Sequence, residues 1–141
     1  MNTQLFIIKK LKTRPMLKSS KPIILIAGDP KSVFLEIFFK CLKKKKYKNP
    51  LILIVNKEIL LDQMKSLKYK FKINSLDIRN INFRRLKNNK INFINIPYNK
   101  KLTTKYFNQS FKVAIKLIKK NKYINLINGP INKKKILKQK F

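Results

Sequence analysis

The stretch that decides the fold reads Pro-Ile-Ile-Leu-Ile-Ala-Gly-Asp-Pro at residues 22–30. A short, continuously apolar run that ends in a glycine turn is typical of a strand buried on both faces of a parallel sheet. A second stretch has the same design, with the run 123–127 followed by Asn128, Gly129 and Pro130. The chain has 2 glycines, and both fall where a predicted strand turns towards the next helix. Open α/β sheets bind their ligands at such turns.

Outward from these turns, strands and helices alternate along the chain. The apolar runs predict strands at 23–27, 51–55, 69–73, 91–96 and 123–127, and the 3.6-residue periodicity predicts helices at 33–44, 57–67 and 105–120. This alternation predicts an α/β fold with a mostly parallel sheet and flanking helices. The polar segment 75–90 is expected to be a loop. The apolar faces outnumber the elements that would cover them, so the domain is expected to be incomplete.

Local signals predict the helix ends and the core faces. Ser32, Asn56 and one of Thr103 and Thr104 are the expected N-caps, and Cys41 is expected to be a small buried hydrophobe. The third predicted helix has an apolar stripe at helical spacing that is expected to face the core. Its members are Phe107, Phe111, Ala114, Ile115 and Ile118.

Composition bounds the function classes. At 141 residues, with 44% hydrophobic residues, the chain is expected to form one domain over residues 21–141 behind a basic extension at 1–20. The net charge of +31 favours a small Lys-rich nucleic-acid-binding, ribosome-associated protein, and at least non-specific attraction to polyanions. All but four of the 36 basic residues are lysine and they are spread along the chain, which indicates compositional bias instead. A small α/β domain without a catalytic role is a third reading.

Several chemistries are excluded by absences. The sequence has no histidine, 1 cysteine and 5 carboxylates, so neither catalytic residues nor metal ligands are predicted. The glycine fingerprint of Rossmann dinucleotide sites is missing as well. No apolar run reaches the length of a membrane-spanning helix, so no membrane partner and a cytoplasmic location are expected.

The two turns resemble those of a known family. Gly28, Pro30 and Glu36 match the Gly-Glu-Pro-Ala-Gly-Ile-Gly-Pro-Glu turn of the 4-hydroxythreonine-4-phosphate dehydrogenases, and Asp29 is a conservative replacement. That family's later glycines and second proline are replaced by Ser32, Phe34 and Leu35. A second match is the family's Gly-Pro-x-x-Lys, found here as Gly129, Pro130 and Lys133. Together with their order and spacing, these motifs make the chain similar to the N-terminal portion of that family.

The resemblance implies a fold and an activity. The fold is that of the isocitrate and isopropylmalate dehydrogenases. The activity is the NAD-dependent, divalent-metal-requiring oxidation and decarboxylation of the small phosphorylated substrate 4-phosphooxy-threonine, a step of vitamin B6 biosynthesis, by a homodimer. The implied cleft residues are Gly28, Asp29, Pro30, Asn128, Gly129, Pro130 and Lys133. The family's Gly-His-Thr-Glu segment and metal-binding histidines have no counterpart here, so the chain is expected to be a fragment that is inactive alone.

Overall fold

The computed structural model of the chain describes residues 21–131. Strands and α-helices alternate through this part of the chain. In order they are β1 (Ile23–Ile26), α1 (Phe34–Lys44), β2 (Leu51–Val55), α2 (Lys57–Ser66), β3 (Ile73–Ser75), β4 (Ile91–Asn95), α3 (Thr103–Lys120) and β5 (Asn125–Asn128). The strands form one five-stranded sheet in the order β3-β4-β2-β1-β5, and every neighbouring pair is parallel. The predicted α/β fold with a parallel sheet is therefore confirmed.

The sheet separates two hydrophobic layers. Alternate residues of a strand point to opposite faces, so Ile23 and Leu25 join one core cluster while Ile24 and Ile26 join the other. Helices α1 and α2 cover the first face, where Phe39 and Leu60 are fully buried. Helix α3 covers the second face, because the connection from β4 to β5 runs back across β2 and β1. Strands β1 and β2 are buried on both faces, as their uninterrupted apolar runs predict.

The stripe predicted on α3 was wrong in part. Phe107 and Ala114 are buried and Phe111 is partly buried, but the side chains of Ile115 and Ile118 are 51% and 36% exposed. The face of α3 that packs on the sheet is rotated about the helix axis from the predicted stripe, and it includes two residues with aliphatic hydroxyl groups. These buried members are Thr103, Tyr106, Phe107, Ser110, Ala114 and Leu117. Ser110 Oγ donates to the Tyr106 carbonyl oxygen over 2.9 Å, and Thr103 Oγ1 donates to that of Lys100 over 3.2 Å. Both hydroxyls are thus buried without losing a hydrogen bond.

Other local predictions have mixed outcomes. The Asn56 cap is confirmed, because its side-chain oxygen accepts from the Ile59 N–H over 3.1 Å. Ser32 is not the cap of α1, since Val33 holds that position, although Ser32 Oγ accepts from the Phe34 N–H over 3.4 Å. No threonine caps α3 either, and its N-cap is Leu102.

The remaining differences concern short or partly covered segments. Strand β3 lies at Ile73–Ser75 and not at 69–73. The predicted loop 75–90 contains the 3₁₀ turns Ile78–Asn80 and Phe83–Arg85. Cys41 is half-buried, not buried. None of the helices between residues 21 and 131 combines the length and the apolar character that a membrane-spanning helix needs.

Candidate ligand site at the carboxyl edge of the sheet

The two glycine turns lie side by side at the carboxyl edge of the sheet. Strands β1 and β5 pair in parallel with Ile26 opposite Asn128, so the residues that follow them leave the sheet together. Main-chain hydrogen bonds join the turns. The Gly129 N–H donates to the Ile26 carbonyl oxygen over 2.7 Å, and the Asp29 N–H donates to the Pro130 carbonyl oxygen over 2.7 Å. The structure therefore brings together every predicted cleft residue between Gly28 and Pro130.

Each glycine is required by the turn opposite it. A Cβ on Gly28 would overlap the Pro130 carbonyl oxygen and lie 2.8 Å from the Gly129 carbonyl carbon. A Cβ on Gly129 would lie 2.5 Å from the Ala27 carbonyl oxygen and 2.7 Å from that of Ile26. Gly28 also has a φ of +74°, which side chains disfavour. Because the obstructing atoms are backbone, no rotamer change would make room for a methyl group.

This contact gives the glycines a structural explanation. The space in which their side chains would stand is filled by the neighbouring turn, and both residues are buried. An open cradle for a phosphate would instead leave that space to the ligand. The absence of side chains at Gly28 and Gly129 allows the two turns to pack against each other. A ligand at this edge would therefore contact the outer surface of the two turns and not a space between them.

The polar groups of the turns are partly engaged. Asp29 Oδ1 accepts from the Lys31 N–H over 2.9 Å, and the Asp29 carbonyl oxygen accepts from the Ser32 N–H over 2.9 Å. The carboxylate therefore stabilises its own turn, the role that short acidic side chains commonly have there. Asp29 and Pro30 are half-buried, whereas Asn128 and Pro130 are exposed. Lys133 lies outside the described residues.

A second crevice lies at the same edge between β2 and β4. The connections that leave these neighbouring strands run to opposite faces, through α2 and α3, and such a point is a preferred ligand site in α/β sheets. The protein fills it with its own amides. Asn56 Nδ2 donates to the Ile96 carbonyl oxygen over 3.0 Å, and Asn95 Oδ1 accepts from the Lys57 N–H over 2.8 Å. The N–H groups of Lys57 and Ile59 in the first turn of α2 thus donate to side chains of the protein itself.

Tyr106 bonds to the Asn56 end of this crevice, and it also lines a cavity of about 240 Å³ beside the loop that follows β4. Its hydroxyl oxygen accepts from the Asn56 N–H over 3.2 Å, and burial raises the pKa of Tyr106 to about 12. Sequence reasoning identified Asn56 as a cap but missed Asn95 and Tyr106. The available signal was an asparagine at the end of a predicted strand and a tyrosine beside a predicted apolar stripe. Because the polar groups of this crevice bond to one another and to the main chain, the β1–β5 edge, where the two glycine turns meet, is the candidate ligand site.

The residues at this edge do not fit a divalent metal. Between residues 21 and 131 no three His, Cys, Asp or Glu side chains come close enough to hold an ion. Asp29 is the carboxylate of the two turns, and one of its oxygens is used within its own turn. The buried glycines likewise give no open cradle for a dinucleotide pyrophosphate. No step of a reaction is therefore assigned to a metal or a nicotinamide held by these residues alone.

The fold and this edge define an α/β domain with its candidate site at the carboxyl ends of parallel strands. No protein-family model and no curated protein matches the sequence. Among solved structures, the chain is similar to a 4-hydroxythreonine-4-phosphate dehydrogenase from Burkholderia phymatum, with a TM-score of 0.64 and 18% sequence identity. The match covers 83% of this chain and 38% of that one. The relationship seen in the sequence motifs is thereby confirmed at the level of the fold.

Proposed function

We propose that this chain forms the glycine-turn side of the substrate cleft in a dehydrogenase of the 4-hydroxythreonine-4-phosphate type. The observation that carries the proposal is the reciprocal packing of Gly28 and Gly129 at the carboxyl ends of two adjacent parallel strands. Those are the positions of the two motifs by which the sequence resembles that family. The shared fold supports the same reading, and the chain spans 38% of the length of the similar enzyme.

Within such an enzyme this chain acts as a binding scaffold. The fused turns set the floor of the cleft, and Asn128 and Pro130 present exposed surface beside it. Lys133 follows the second turn by three residues and is proposed to meet the substrate phosphate as an ammonium charge. The resemblance also implies NAD as hydride acceptor, a divalent metal and a second subunit. The sequence has no histidine, so proton transfer and metal binding are assigned to groups outside this chain.

Substrate binding is the direct test. We expect 4-phosphooxy-threonine, added to isotopically labelled 141-residue chain, to shift backbone NMR signals mainly at residues 29–32 and 128–131. O-Phosphoserine carries the same charged groups but lacks the extra hydroxyl carbon, so it measures the attraction due to charge alone. With NAD and a divalent metal added, binding without NADH formation is expected.

A pair of lysine variants separates the site from the general positive charge. Lys133→Gln is expected to weaken substrate binding about tenfold, because it removes one charge-assisted hydrogen bond to phosphate. Lys122→Gln removes the same charge from an exposed position before β5 and is expected to leave binding unchanged. Equal effects of the two variants, or signal shifts without preference over O-phosphoserine, would refute the proposed cleft. NADH formation by this chain alone would refute the assignment of chemistry to groups outside it.

A further inference from the structure

A cavity opens at the opposite, amino-terminal edge of the sheet. It lies where α1 ends and where the chain enters β3 and β4, and its volume is about 450 Å³. This volume falls in the range of about 300–1,000 Å³ that small-ligand sites occupy. The strand ends that carry Gly28 and Gly129 are at the other edge, so the cavity is separate from the cleft proposed above.

The lining of the cavity is strongly cationic. Lys45, Lys46 and Lys90 contribute to it, and none of the described residues that line it is acidic. The carbonyl end of α1 also faces this edge and carries about half a negative charge. Three full positive charges outweigh that partial charge. The site is therefore built to attract an anion.

Aromatic side chains form another part of the same wall. Phe71 lines the cavity, and the ring of Tyr69, which is not among the lining residues, is stacked on it at 5.6 Å with an interplanar angle of 16°. Phe39 supports the pair, with its ring centre 5.9 Å from that of Phe71. Tyr47 lines the cavity as well. The wall of the cavity thus includes part of an aromatic cluster whose rings pack on one another.

One asparagine that lines the cavity, Asn88, connects two of the segments around it. Asn88 Nδ2 donates to the carbonyl oxygens of Tyr47 and Asn49 over 2.8 and 2.7 Å, and its Oδ1 accepts from the Leu51 N–H over 2.9 Å. These bonds tie the segment before β4 to the segment before β2. The segments that carry Tyr47 and Lys90 are therefore braced against each other, which lowers the entropy lost when a ligand binds.

From this juxtaposition we propose that the amino-edge cavity is a nucleotide-binding site. The phosphate would lie among Lys45, Lys46 and Lys90, and the base would stack against Phe71. Lysine charges with an adjacent aromatic surface are the combination by which proteins bind nucleotide units without sequence preference. The unit belongs either to a free nucleotide or to a single-stranded nucleic acid, and the experiment below distinguishes these sources.

Binding of three probes at physiological salt tests the site. AMP is expected to bind the full chain, and ribose 5-phosphate, which lacks the base, is expected to bind about tenfold more weakly. A short oligouridylate is the third probe. Preference for AMP would indicate a free nucleotide, and tighter binding of the oligouridylate would indicate single-stranded nucleic acid.

Matched variants locate the binding. The triple variant K45Q/K46Q/K90Q is expected to weaken the preferred probe at least about tenfold and to flatten its salt dependence. The variant K112Q/K116Q/K119Q removes the same charge from exposed positions on α3 and is expected to have little effect. Phe71→Leu should weaken binding about tenfold, whereas Tyr69→Leu, which loses a ring of the same cluster that does not line the cavity, should not. Thermal melting shows whether each variant keeps its fold.

Three results would overturn the site. These are equal affinity for AMP and ribose 5-phosphate with no gain for the oligouridylate, equal weakening by the two triple-lysine variants, and no measurable binding of any probe. Each result would mean either that the protein attracts polyanions through its overall charge alone or that the cavity binds nothing. Neither the substrate titration nor the Lys133→Gln variant bears on this edge, so the two proposals can fail independently.

Discussion

The two glycine turns at the carboxyl edge of the sheet and the segments around Asn88 at its amino edge are held by different contacts. At the carboxyl edge, backbone meets backbone, because the turns at Gly28 and Gly129 hydrogen-bond to each other and leave no space for a Cβ. At the amino edge between β2 and β4, a side chain adds to the strand pairing, because Asn88 bridges the segments that precede the two strands. Where the main chains touch, there is no space for the methyl group that an alanine in place of glycine would add. Where side chains connect the segments, many exposed positions remain open to change.

The difference also explains where glycine is found. Both glycines of the sequence stand at the carboxyl edge. At the end of α2, on the amino side, Lys68 adopts a left-handed φ of 60°, a conformation that glycine adopts without strain. A chain with 2 glycines keeps them where no other residue fits. At position 68, where a side chain is merely unfavourable, the chain has a lysine.

The largest effect is expected from Gly129→Ala at the carboxyl edge. The new methyl group would lie 2.5 Å from the Ala27 carbonyl oxygen, and only a backbone shift could relieve the overlap. We expect the free energy of unfolding to fall by more than about 3 kcal/mol in urea titrations. Pro130→Ala is the matched control, since it keeps the accepting carbonyl oxygen and changes an exposed ring, and a loss of less than about 1 kcal/mol is expected. If Gly129→Ala also lowered the free energy of unfolding by less than about 1 kcal/mol, the close contact of the turns would be disproved.

At the amino edge, Asn88→Ala is expected to have the next largest effect. The variant removes three hydrogen bonds and leaves main-chain groups around β2 without their partner. A loss of about 2–3 kcal/mol in the free energy of unfolding is expected. Asn89→Ala changes the exposed neighbouring residue and should stay within about 0.5 kcal/mol. If the two alanine variants were equally stable, side-chain bridging would not be what holds this edge.

The sequence predicted β1, β2 and the turns of the carboxyl edge well because their signals are local. Uninterrupted apolar runs marked β1 and β2, and the glycines marked the turns that the structure brings together. That the glycines pack against each other was not predictable. It depends on β5 pairing with β1 at the far end of the chain, and strand order is a property of tertiary packing.

The amino edge and the face of α3 were missed for a different reason. Hydrophobicity favoured Ile115 and Ile118 as core residues, whereas the structure buries Ser110 and Thr103 with their hydroxyls bonded to the helix or to the turn before it. The polar composition of 75–90 predicts a loop around Asn88, whereas its amide connects segments about 40 residues apart. Polar residues that are satisfied by backbone carry no sequence signal of burial.

Alkaline pH should distinguish two tyrosines, one at each edge. Burial raises the pKa of Tyr106, at the carboxyl edge, to about 12. Since the unfolded value is about 10, the protonated form stabilises the fold below about pH 10, and this contribution is lost as the pH rises through 12. Tyr106→Phe is therefore expected to reduce the loss of stability over this range by about 2 kcal/mol, measured by urea unfolding at several pH values.

The amino-edge tyrosine is the comparison for this measurement. Burial, followed by the neighbouring Cys41 thiol, raises the pKa of Tyr47 to about 12, but Tyr47 is only half-buried. Tyr47→Phe should therefore change the alkaline loss of stability less than Tyr106→Phe does. Lysine deprotonation affects all variants alike and cancels in the comparison. An equal effect at Tyr106 and Tyr47 would contradict the role of burial.

The smallest expected effect has the opposite sign, and it concerns the left-handed lysine. After α2, the Tyr69 N–H donates to the Met64 carbonyl oxygen over 2.9 Å and the Lys68 N–H donates to that of Lys65 over 3.2 Å. This is the helix-ending pattern in which glycine normally holds the left-handed position. Relieving the left-handed strain outweighs the added chain entropy, so Lys68→Gly should stabilise the protein by about 0.5–1 kcal/mol. Lys70→Gly, at an exposed position with ordinary φ, should instead destabilise it slightly. If Lys68→Gly were also destabilising, the contrast between an edge that requires glycine and an edge that would merely benefit from one would not hold.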